Sequence, residues 1–232
     1  VTLPAIDEPW LAAFMQGFST LARQHAVQLI GGDTTRGPMT FTLQAHGLLE
    51  PGRALLRSGA RPGDSLYVTG NIGGAGAALK SLLDGDVEIP DVLRKSLEQP
   101  EPRVRPGRSL AGIASACIDL SDGLAGDLRH MLDASGCGAT VELERLPLLP
   151  ETSAFMQRQD DWQLPLTAGD DYELLFSVPQ SREQALQAVE PELDCRVTRI
   201  GRIEAEPGLR FVDAAGRRRT PGHAWDHFRD DD

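Results

Sequence analysis

The chain has 232 residues, of which 41% are hydrophobic and 25% charged, and its formal net charge is −11. This length is enough for one large domain or two smaller ones, and the composition is that of a globular protein rather than a disordered one. The negative charge argues against a general nucleic-acid binder, because that class presents a basic surface to the phosphate backbone.

The first fifty residues predict one helix and two strands. Residues 7–26 predict an amphipathic helix, because Trp10, Phe14 and Phe18 recur at helical spacing and Asp7 can cap the start. Residues 27–30, VQLI, predict a short buried strand, and the alternation of residues 40–49 predicts a half-buried strand. Residues 50–63 are rich in Pro and Gly and predict a connector to a second domain.

The remaining residues predict strands and helices in alternation. Strands are expected at 65–70, 116–120, 139–146, 172–178, 196–204 and 209–216, and helices at about 74–84, 91–98, 104–116, 123–135, 152–159 and 182–190. Several neighbouring strands can pair antiparallel. The fold class is therefore predicted as α+β (mixed α/β) with two domains.

Three acidic clusters border apolar runs, at residues 31–37, 118–123 and 169–173. Carboxylates at the ends of buried strands cost several kcal/mol unless a cation or hydrogen bonds compensate them. Few His and Cys residues accompany them, so a hard, oxygen-preferring ion such as Mg²⁺ is the expected partner, shared with phosphate oxygens.

The first cluster contains Gly32 and Asp33 in the sequence GGDTT. Glycines allow the backbone to approach a ligand closely, and the Asp oxygens can bind a cation. The alternative is an ordinary turn, in which Gly-Asp is common. Arg36 and Arg57 lie nearby along the chain, and either can bind a phosphate or form a surface salt bridge.

The second cluster, IDLSDGL, places Asp119, Ser121 and Asp122 at the end of an apolar strand and the start of a helix. Asp122 acting only as a helix N-cap is the alternative explanation, but it does not account for Asp119. Both carboxylates together with Asp33 can hold one or more Mg²⁺ ions that neutralise a polyphosphate.

The third cluster sets Asp170 and Asp171 before a strand, where a hydrated turn is the alternative. Trp225 is a large aromatic residue among polar ones, and it belongs either to the core or to a platform that stacks on a planar ring. His223 and His227 flank it, but without a third ligand a zinc site is not favoured.

The three cysteines are widely spaced and form no CxxC motif, which fits a reducing cytoplasm better than a disulfide framework. No apolar stretch approaches the length of a membrane span. The spacing of Ser, His and Asp residues supports no covalent nucleophile.

The motifs LIGGDTTRGP, GRALLRSGARPGD, IDLSDGLAGDLRHML and AGDDYELLF together resemble, in order and spacing, the thiamine-monophosphate kinase family of the aminoimidazole-ribonucleotide-synthetase-like superfamily. The resemblance implies a homodimeric enzyme that uses ATP and Mg²⁺, and the cysteine content agrees with a cytoplasmic location. It also implies that residues 1–57 are the C-terminal part of an N-terminal α/β domain, and that residues 58–232 form a C-terminal α+β domain.

The resemblance also assigns site residues by position. It implies nucleotide contacts at Gly32, Asp33, Arg57 and Ser121, Mg²⁺ ligands at Asp33, Asp119 and Asp122, and contacts with the thiamine substrate at Asp170 and Trp225. The family usually has GGED where this chain has AGDD, so the carboxylate of Asp170 is one methylene shorter than its usual counterpart. No catalytic side chain beyond the metal and substrate ligands is expected.

An upstream GDD-type motif of the family has no counterpart in this sequence, so the first domain is expected to be incomplete here and the chain as written to be catalytically impaired. The predicted activity of the intact protein is ATP- and Mg²⁺-dependent phosphorylation of thiamine monophosphate to thiamine diphosphate. The alternatives are another ATP-using member of the superfamily, of the aminoimidazole ribonucleotide or selenophosphate synthetase type, and a non-catalytic module that binds divalent cations.

Overall fold

A computed structural model of the chain describes residues 1–86 and 88–222. It divides the chain into two compact units, Val1–Glu50 and Pro51–Asp232. The family domain boundary expected after residue 57 stays a prediction. Both helices and sheets are present, and the predicted mixed α/β fold class is confirmed.

The first unit contains strands β1 (Thr2–Leu3) and β2 (Thr35–Arg36), which pair in parallel, and helix α1 (Glu8–Gln24). Asp7 caps α1 by accepting a hydrogen bond from the backbone N–H of Trp10 at 3.0 Å, as predicted. The rings of Trp10 and Phe14 stack at 5.5 Å, and Phe41 packs on Phe14 at 5.0 Å. An aromatic row thus occupies one side of α1.

The prediction of two strands after α1 is wrong. Residues 27–30 and 41–49 form no strand, and only Thr40 makes an isolated bridge, with Thr2. The apolar side chains there are exposed, including 85% of Ile30 and 74% of Leu43. An alternating or apolar pattern shows that a segment suits a sheet, but a strand also needs a neighbour for its backbone hydrogen bonds. These segments have no such neighbour among the described residues.

The second unit is built on a sheet of seven strands in the order β4-β6-β3-β7-β5-β8-β9. In chain order its strands are β3 (Ser65–Thr69), β4 (Ala116–Asp119), β5 (Gly138–Glu142), β6 (Leu174–Val178), β7 (Val197–Glu204), β8 (Gly208–Val212) and β9 (Arg218–Arg219). All neighbours pair antiparallel except β5 and β8, which are parallel. Every strand predicted in this unit is present and is shorter than predicted, although β5 and β8 begin one residue before the predicted start.

Seven α-helices accompany this sheet in the described part of the chain. They are α2 (Gly74–Leu83), α3 (Asp91–Glu98), α4 (Val104–Leu110), α5 (Leu124–Ser135), α6 (Pro150–Gln159), α7 (Leu164–Thr167) and α8 (Glu183–Val189). The predicted helix over 104–116 ends six residues early, at Leu110, because a turn and Gly112 in the left-handed region (φ 87°) precede β4. Gly136 ends α5 in the left-handed conformation at φ 67°, as predicted.

Both faces of the sheet are covered by apolar side chains, since the strands alternate. Leu66, Val68 and Leu175 belong to the core that α5 completes with Leu128 and Met131. On the other face, Phe176 and Val178 pack with residues of α4 and α8, namely Leu110 and Leu186. A third cluster joins α2, α3, α6 and α7 around Phe155. Because both faces of the sheet are buried, the register of its strands is fixed. The strand ends that carry the acidic clusters are therefore fixed as well.

Among the described residues, the helices are all too short or too polar to cross a lipid bilayer.

Truncating Phe176 to Ala should lower the free energy of unfolding by about 3–5 kcal/mol, because the ring is fully buried and stacks on Tyr67 at 5.6 Å. Urea unfolding measures the change. Leu83→Ala is the control: Leu83 is 77% exposed, so its loss should change stability by no more than about 0.5 kcal/mol. Equal effects of the two substitutions would contradict the assigned core.

Candidate active site

The second and third acidic clusters lie side by side at one end of the sheet. Strand β4 ends at Asp119 and pairs antiparallel with β6, so that Asp119 faces Leu174 at the start of β6. The loops beyond these strand ends are joined by backbone hydrogen bonds: Leu120 N–H donates to Glu173 O at 2.8 Å, Tyr172 N–H to Leu120 O at 2.8 Å, and Asp170 N–H to Ser121 O at 3.0 Å. We call residues 119–123 and 168–173 the paired acidic loops.

Glycine is required for this close approach. A Cβ atom on Gly169 would lie 2.2 Å from the carbonyl oxygen of Ser121 in the opposite loop. Gly123 has φ 104°, a conformation that L side chains rarely adopt, and a Cβ there would lie 3.0 Å from the backbone of residues 166–168. The two glycines of the motifs thus serve the pairing of the loops.

In the paired acidic loops, one carboxylate contacts the phenol of Tyr172 and two others act on it through their charge. The Tyr172 hydroxyl donates to Asp170 Oδ1 at 3.0 Å. The pKa of Tyr172 is raised by burial, by its hydrogen bond and charge interaction with Asp170, and by the negative charges of Asp119 and Asp122. All three carboxylates therefore lie within electrostatic reach of this side chain. Asp170 and Tyr172 also adopt positive φ angles of 67° and 50°, which are uncommon for residues with a side chain.

Asp127, in the first turn of α5, holds the first of these loops from inside. Its side chain is 3% exposed and accepts hydrogen bonds from the backbone N–H groups of Ser121 at 3.0 Å and Asp122 at 3.1 Å. Burial raises its pKa, and the neighbouring charges of Asp122 and Asp119 act in the same direction. The N-cap of α5 is Gly123, without a side-chain hydrogen bond. The alternative that Asp122 serves as a helix cap is therefore wrong, and its carboxylate is available to a ligand.

Asp171 anchors the other loop to the start of α2. Both of its carboxylate oxygens accept from the backbone N–H of Gly73, at 2.9 and 2.8 Å. A negative charge at a helix N-terminus is favourable. Burial nevertheless raises the pKa of Asp171 to about 7, and the nearby charges of Glu173 and Asp170 add to the shift. The alternative of a purely hydrated turn is wrong for Asp171.

A buried ion pair fixes the end of the same loop. Glu173 is 5% exposed and accepts two 2.6 Å hydrogen bonds from Arg103, through Nε and Nη2. Thr69, at the end of β3, donates its hydroxyl to Glu173 at 2.6 Å. The hydrogen bond with Glu173 raises the pKa of Arg103. Both carboxylate oxygens of Glu173 accept hydrogen bonds, and the charge of Arg103 balances the charge of Glu173. The pair therefore holds the loop without leaving a buried charge uncompensated.

The other predicted site residues belong to the first unit, to the segment beside β4, or to the part of the chain that is not described. Gly32 and Asp33 are exposed in the first unit, where Asp33 Oδ1 accepts from the N–H of Thr34 at 2.8 Å. Arg57 is exposed beside β4, next to Leu56, whose carbonyl accepts from Cys117 N–H at 2.8 Å. Trp225 lies outside the described residues, as do both histidines considered for zinc. The convergence of Asp33 with Asp119 stays a prediction.

The donor set of the paired acidic loops fits Mg²⁺. Neither Asp119 nor Asp122 forms an ion pair with another described residue. In the same part of the chain, no group of three or more Asp, Glu, His or Cys side chains encloses a metal site by itself. Mg²⁺ typically takes only one or two carboxylates and completes its shell with water and substrate phosphates. An open site of this kind is what two unpaired carboxylates can form.

The sequence indicates neither Arg103 nor Asp127 as a supporting residue, and it marks Glu173 only as the last member of the third acidic cluster. Asp127 follows Ser121 by six positions and looks like an exposed charge of an amphipathic helix. Arg103 is 70 residues from its partner Glu173, and no local pattern joins them. The only available signal was the presence of carboxylates within otherwise apolar stretches, DGLAGDL and DYELLF.

Residues 61–214 match the family described as AIR synthase related protein, C-terminal domain. A thiamine-monophosphate kinase of Salmonella typhimurium is 43% identical over 98% of this chain and 72% of its own length, and that of Escherichia coli K12 is 40% identical with the same coverage. The chain belongs to the thiamine-monophosphate kinase family. The predicted family and enzyme class are confirmed.

Solved structures of the family agree with this fold. The thiamine-monophosphate kinase of Stenotrophomonas maltophilia K279a matches with a TM-score of 0.81 and 36% identity, over 90% of this chain and 69% of that one. The structure of AaThiL complexed with AMPPCP and TMP matches with a TM-score of 0.79 and 27% identity, over 98% of this chain and 71% of that one.

Replacing Asp171 with Asn should change how stability depends on pH. The native carboxyl, with a pKa of about 7, keeps a proton that the unfolded chain releases near the ordinary value of 3.8. Its contribution to stability is therefore present at low pH and is lost as pH rises through 7. Relative to Asp171→Asn, the wild type should lose thermal stability between about pH 5 and about pH 8.

Thermal unfolding of the two proteins at both pH values measures this difference, and comparing them cancels the titration of all other groups. A melting-temperature difference that is the same at both pH values would contradict the raised pKa of Asp171.

Proposed function

We propose that the intact protein transfers the γ-phosphoryl group of ATP to the phosphate of thiamine monophosphate, giving thiamine diphosphate and ADP, in a Mg²⁺-dependent in-line reaction. The observation that supports this is the pairing of the two acidic loops, which places Asp119, Asp122 and Asp170 in adjacent loops with no Lys or Arg paired to them among the described residues. Support comes from the kinase relatives and from the family structure that holds AMPPCP and TMP.

Phosphoryl transfer to a phosphate is a reaction that the residues of the paired acidic loops can support. The acceptor is already an anionic phosphate oxygen, so no strong general base is needed, and catalysis reduces to positioning and charge neutralisation. Bound Mg²⁺ would supply that neutralisation at the phosphate oxygens. Asp119 and Asp122, with Asp33 of the first unit, are the proposed metal ligands. The buried Asp127 holds the backbone of residues 121 and 122 so that the Asp122 side chain is left for the ion.

The remaining residues bind the two substrates in this proposal. Gly32, Asp33, Arg57 and Ser121 contact the nucleotide, and Asp170 and Trp225 contact the thiamine moiety. The hydrogen bond from Tyr172 orients the Asp170 carboxylate, which matters because Asp reaches one methylene less far than Glu. A negative carboxylate is a suitable neighbour for the cationic thiazolium ring of thiamine.

A homodimer in the cytoplasm is part of the same proposal. It rests on the resemblance to the family and on the cysteine content, which fits a reducing compartment.

Replacing Asp119 with Asn in the intact protein should lower turnover by two or more orders of magnitude and raise the Mg²⁺ concentration needed for half-maximal rate. The substitution keeps the size of the side chain and removes a charge that the metal requires. Steady-state kinetics with thiamine monophosphate, ATP and a range of Mg²⁺ concentrations measures both effects.

Asp133→Asn is the matched control, because Asp133 is an exposed carboxylate on α5 outside the paired loops, and its turnover should stay at the wild-type level. Unchanged Mg²⁺ dependence in Asp119→Asn would contradict the metal assignment. Absence of turnover in the intact wild type, with Mg²⁺ binding retained, would instead indicate an ion-binding module.

A further inference from the structure

A single hydroxyl group holds the segment that contains Arg57. The Oγ of Ser135 accepts hydrogen bonds from the backbone N–H groups of Gly59 and Ala60, both at 3.2 Å, and its own O–H faces the carbonyl oxygen of Arg57 at 3.5 Å. These contacts join parts of the chain that are 75 to 78 residues apart. We call residues 56–60 the arginine segment.

The arginine segment is also fixed along the edge of the sheet. Strand β4 is the first strand in the order of the sheet, and on its outer side the N–H of Cys117 donates to the carbonyl of Leu56 at 2.8 Å. Gly59 passes close to the residue before β4: it has φ 118°, and a Cβ atom there would lie 2.5 Å from the carbonyl oxygen of Ser115. Arg57 therefore lies beside β4, between two fixed points of the backbone.

The hydroxyl of Ser135 is not used by its own helix. Ser135 is the last residue of α5, and Gly136 ends that helix by donating its backbone N–H to the carbonyl of Leu132. Serine hydroxyls in helices often bond to the carbonyl one turn earlier, as Ser153 does in α6 with Leu149 at 3.2 Å. Because the Ser135 hydroxyl contacts a segment outside the helix, it positions that segment rather than α5.

Helix α5 connects the arginine segment to the paired acidic loops. In its first turn, Asp127 accepts from the backbone N–H groups of Ser121 and Asp122, and at its last residue Ser135 holds residues 57–60. Positions 127 and 135 are about 12 Å apart along the helix axis. A ligand that contacts both the acidic loop and the arginine segment therefore has to be extended, as a nucleoside triphosphate is.

The guanidinium of Arg57 is available to such a ligand. The residue is exposed, and within residues 1–86 and 88–222 its side chain has no ion pair or hydrogen bond. A guanidinium presents five donors in a planar fork that suits phosphate oxygens. A flexible side chain binds more tightly when its backbone is already in place, because less freedom is lost on binding.

We propose that Ser135 is a positioning residue for nucleotide binding, which fixes the backbone of residues 57–60 so that the Arg57 guanidinium meets the phosphate groups of ATP. Ser135 itself contacts no substrate. This inference rests on the proposed function, in which Arg57 contacts the nucleotide, and it adds the residue through which α5 holds that arginine.

Replacing Ser135 with Ala in the intact protein tests this role. Calorimetric titration with a non-hydrolysable ATP analogue and Mg²⁺ should show about 5- to 10-fold weaker binding, because the arginine segment loses two backbone hydrogen bonds. Ser135→Thr keeps the hydroxyl and should restore wild-type affinity. Ser153→Ala is the matched control and should also bind as wild type does, since its hydroxyl bonds only within α6. Wild-type affinity in a folded Ser135→Ala protein would overturn the proposal.

A double-mutant cycle separates positioning of Arg57 from a general effect on the fold. Arg57→Gln alone should weaken nucleotide binding, and adding Ser135→Ala to it should cause little further loss, because the charge that Ser135 positions is already absent. The same fold-loss from Ser135→Ala in both backgrounds, or wild-type affinity in Arg57→Gln, would show that Ser135 does not act through Arg57 and would overturn the proposal.

Steady-state kinetics of the same variants distinguishes this inference from the kinase assignment. In Ser135→Ala the KM for ATP should rise while the KM for thiamine monophosphate stays at the wild-type value. An unchanged KM for ATP in an active enzyme would overturn the positioning role and leave the kinase standing. An intact protein that binds the ATP analogue in a Ser135-dependent way but does not phosphorylate thiamine monophosphate would support the positioning role and contradict the kinase.

Discussion

The candidate active site depends on three backbone hydrogen bonds that hold two acidic loops together. Leu120, Ser121 and residues 170–173 provide the donors and acceptors, and Gly169 permits the contact because no side chain fits between the loops. Backbone bonds can impose a geometry that the side chains themselves oppose, since the carboxylates repel one another. This repulsion favours the binding of a cation, and only a bound cation would make a phosphate favourable in the same place.

The carboxylates of the paired loops and their supporting residues are of two kinds. Asp127, Asp171 and Glu173 are tied to backbone N–H groups or to Arg103, and they fix the loops. Asp119 and Asp122 have no such partner among the described side chains. The proposed metal-dependent reaction would need both kinds, because a carboxylate whose oxygens are to bind a metal ion has to be positioned through its backbone.

The sequence predicts features that depend on neighbouring residues, but it does not predict contacts between residues that are far apart along the chain. The helices and strands of the second unit follow local periodicity, and the apolar run before SDGL was enough to place Asp119 and Asp122 between a strand end and a helix start. Segments 27–30 and 40–49 were predicted wrongly, because a strand depends on a neighbour that a local pattern does not reveal. The Arg103–Glu173 pair joins distant segments, so only the folded chain shows it.

The pairing of the loops is tested most directly by Gly169→Ala. The added methyl would lie 2.2 Å from the Ser121 carbonyl and must push the loops apart, whereas Gly17→Ala in α1 adds a methyl with no atom within 4 Å. Calorimetric titration of both variants of the intact protein with a non-hydrolysable ATP analogue and Mg²⁺ should show at least about 10-fold weaker binding for Gly169→Ala and wild-type binding for Gly17→Ala. Wild-type affinity in a folded Gly169→Ala protein would contradict the account.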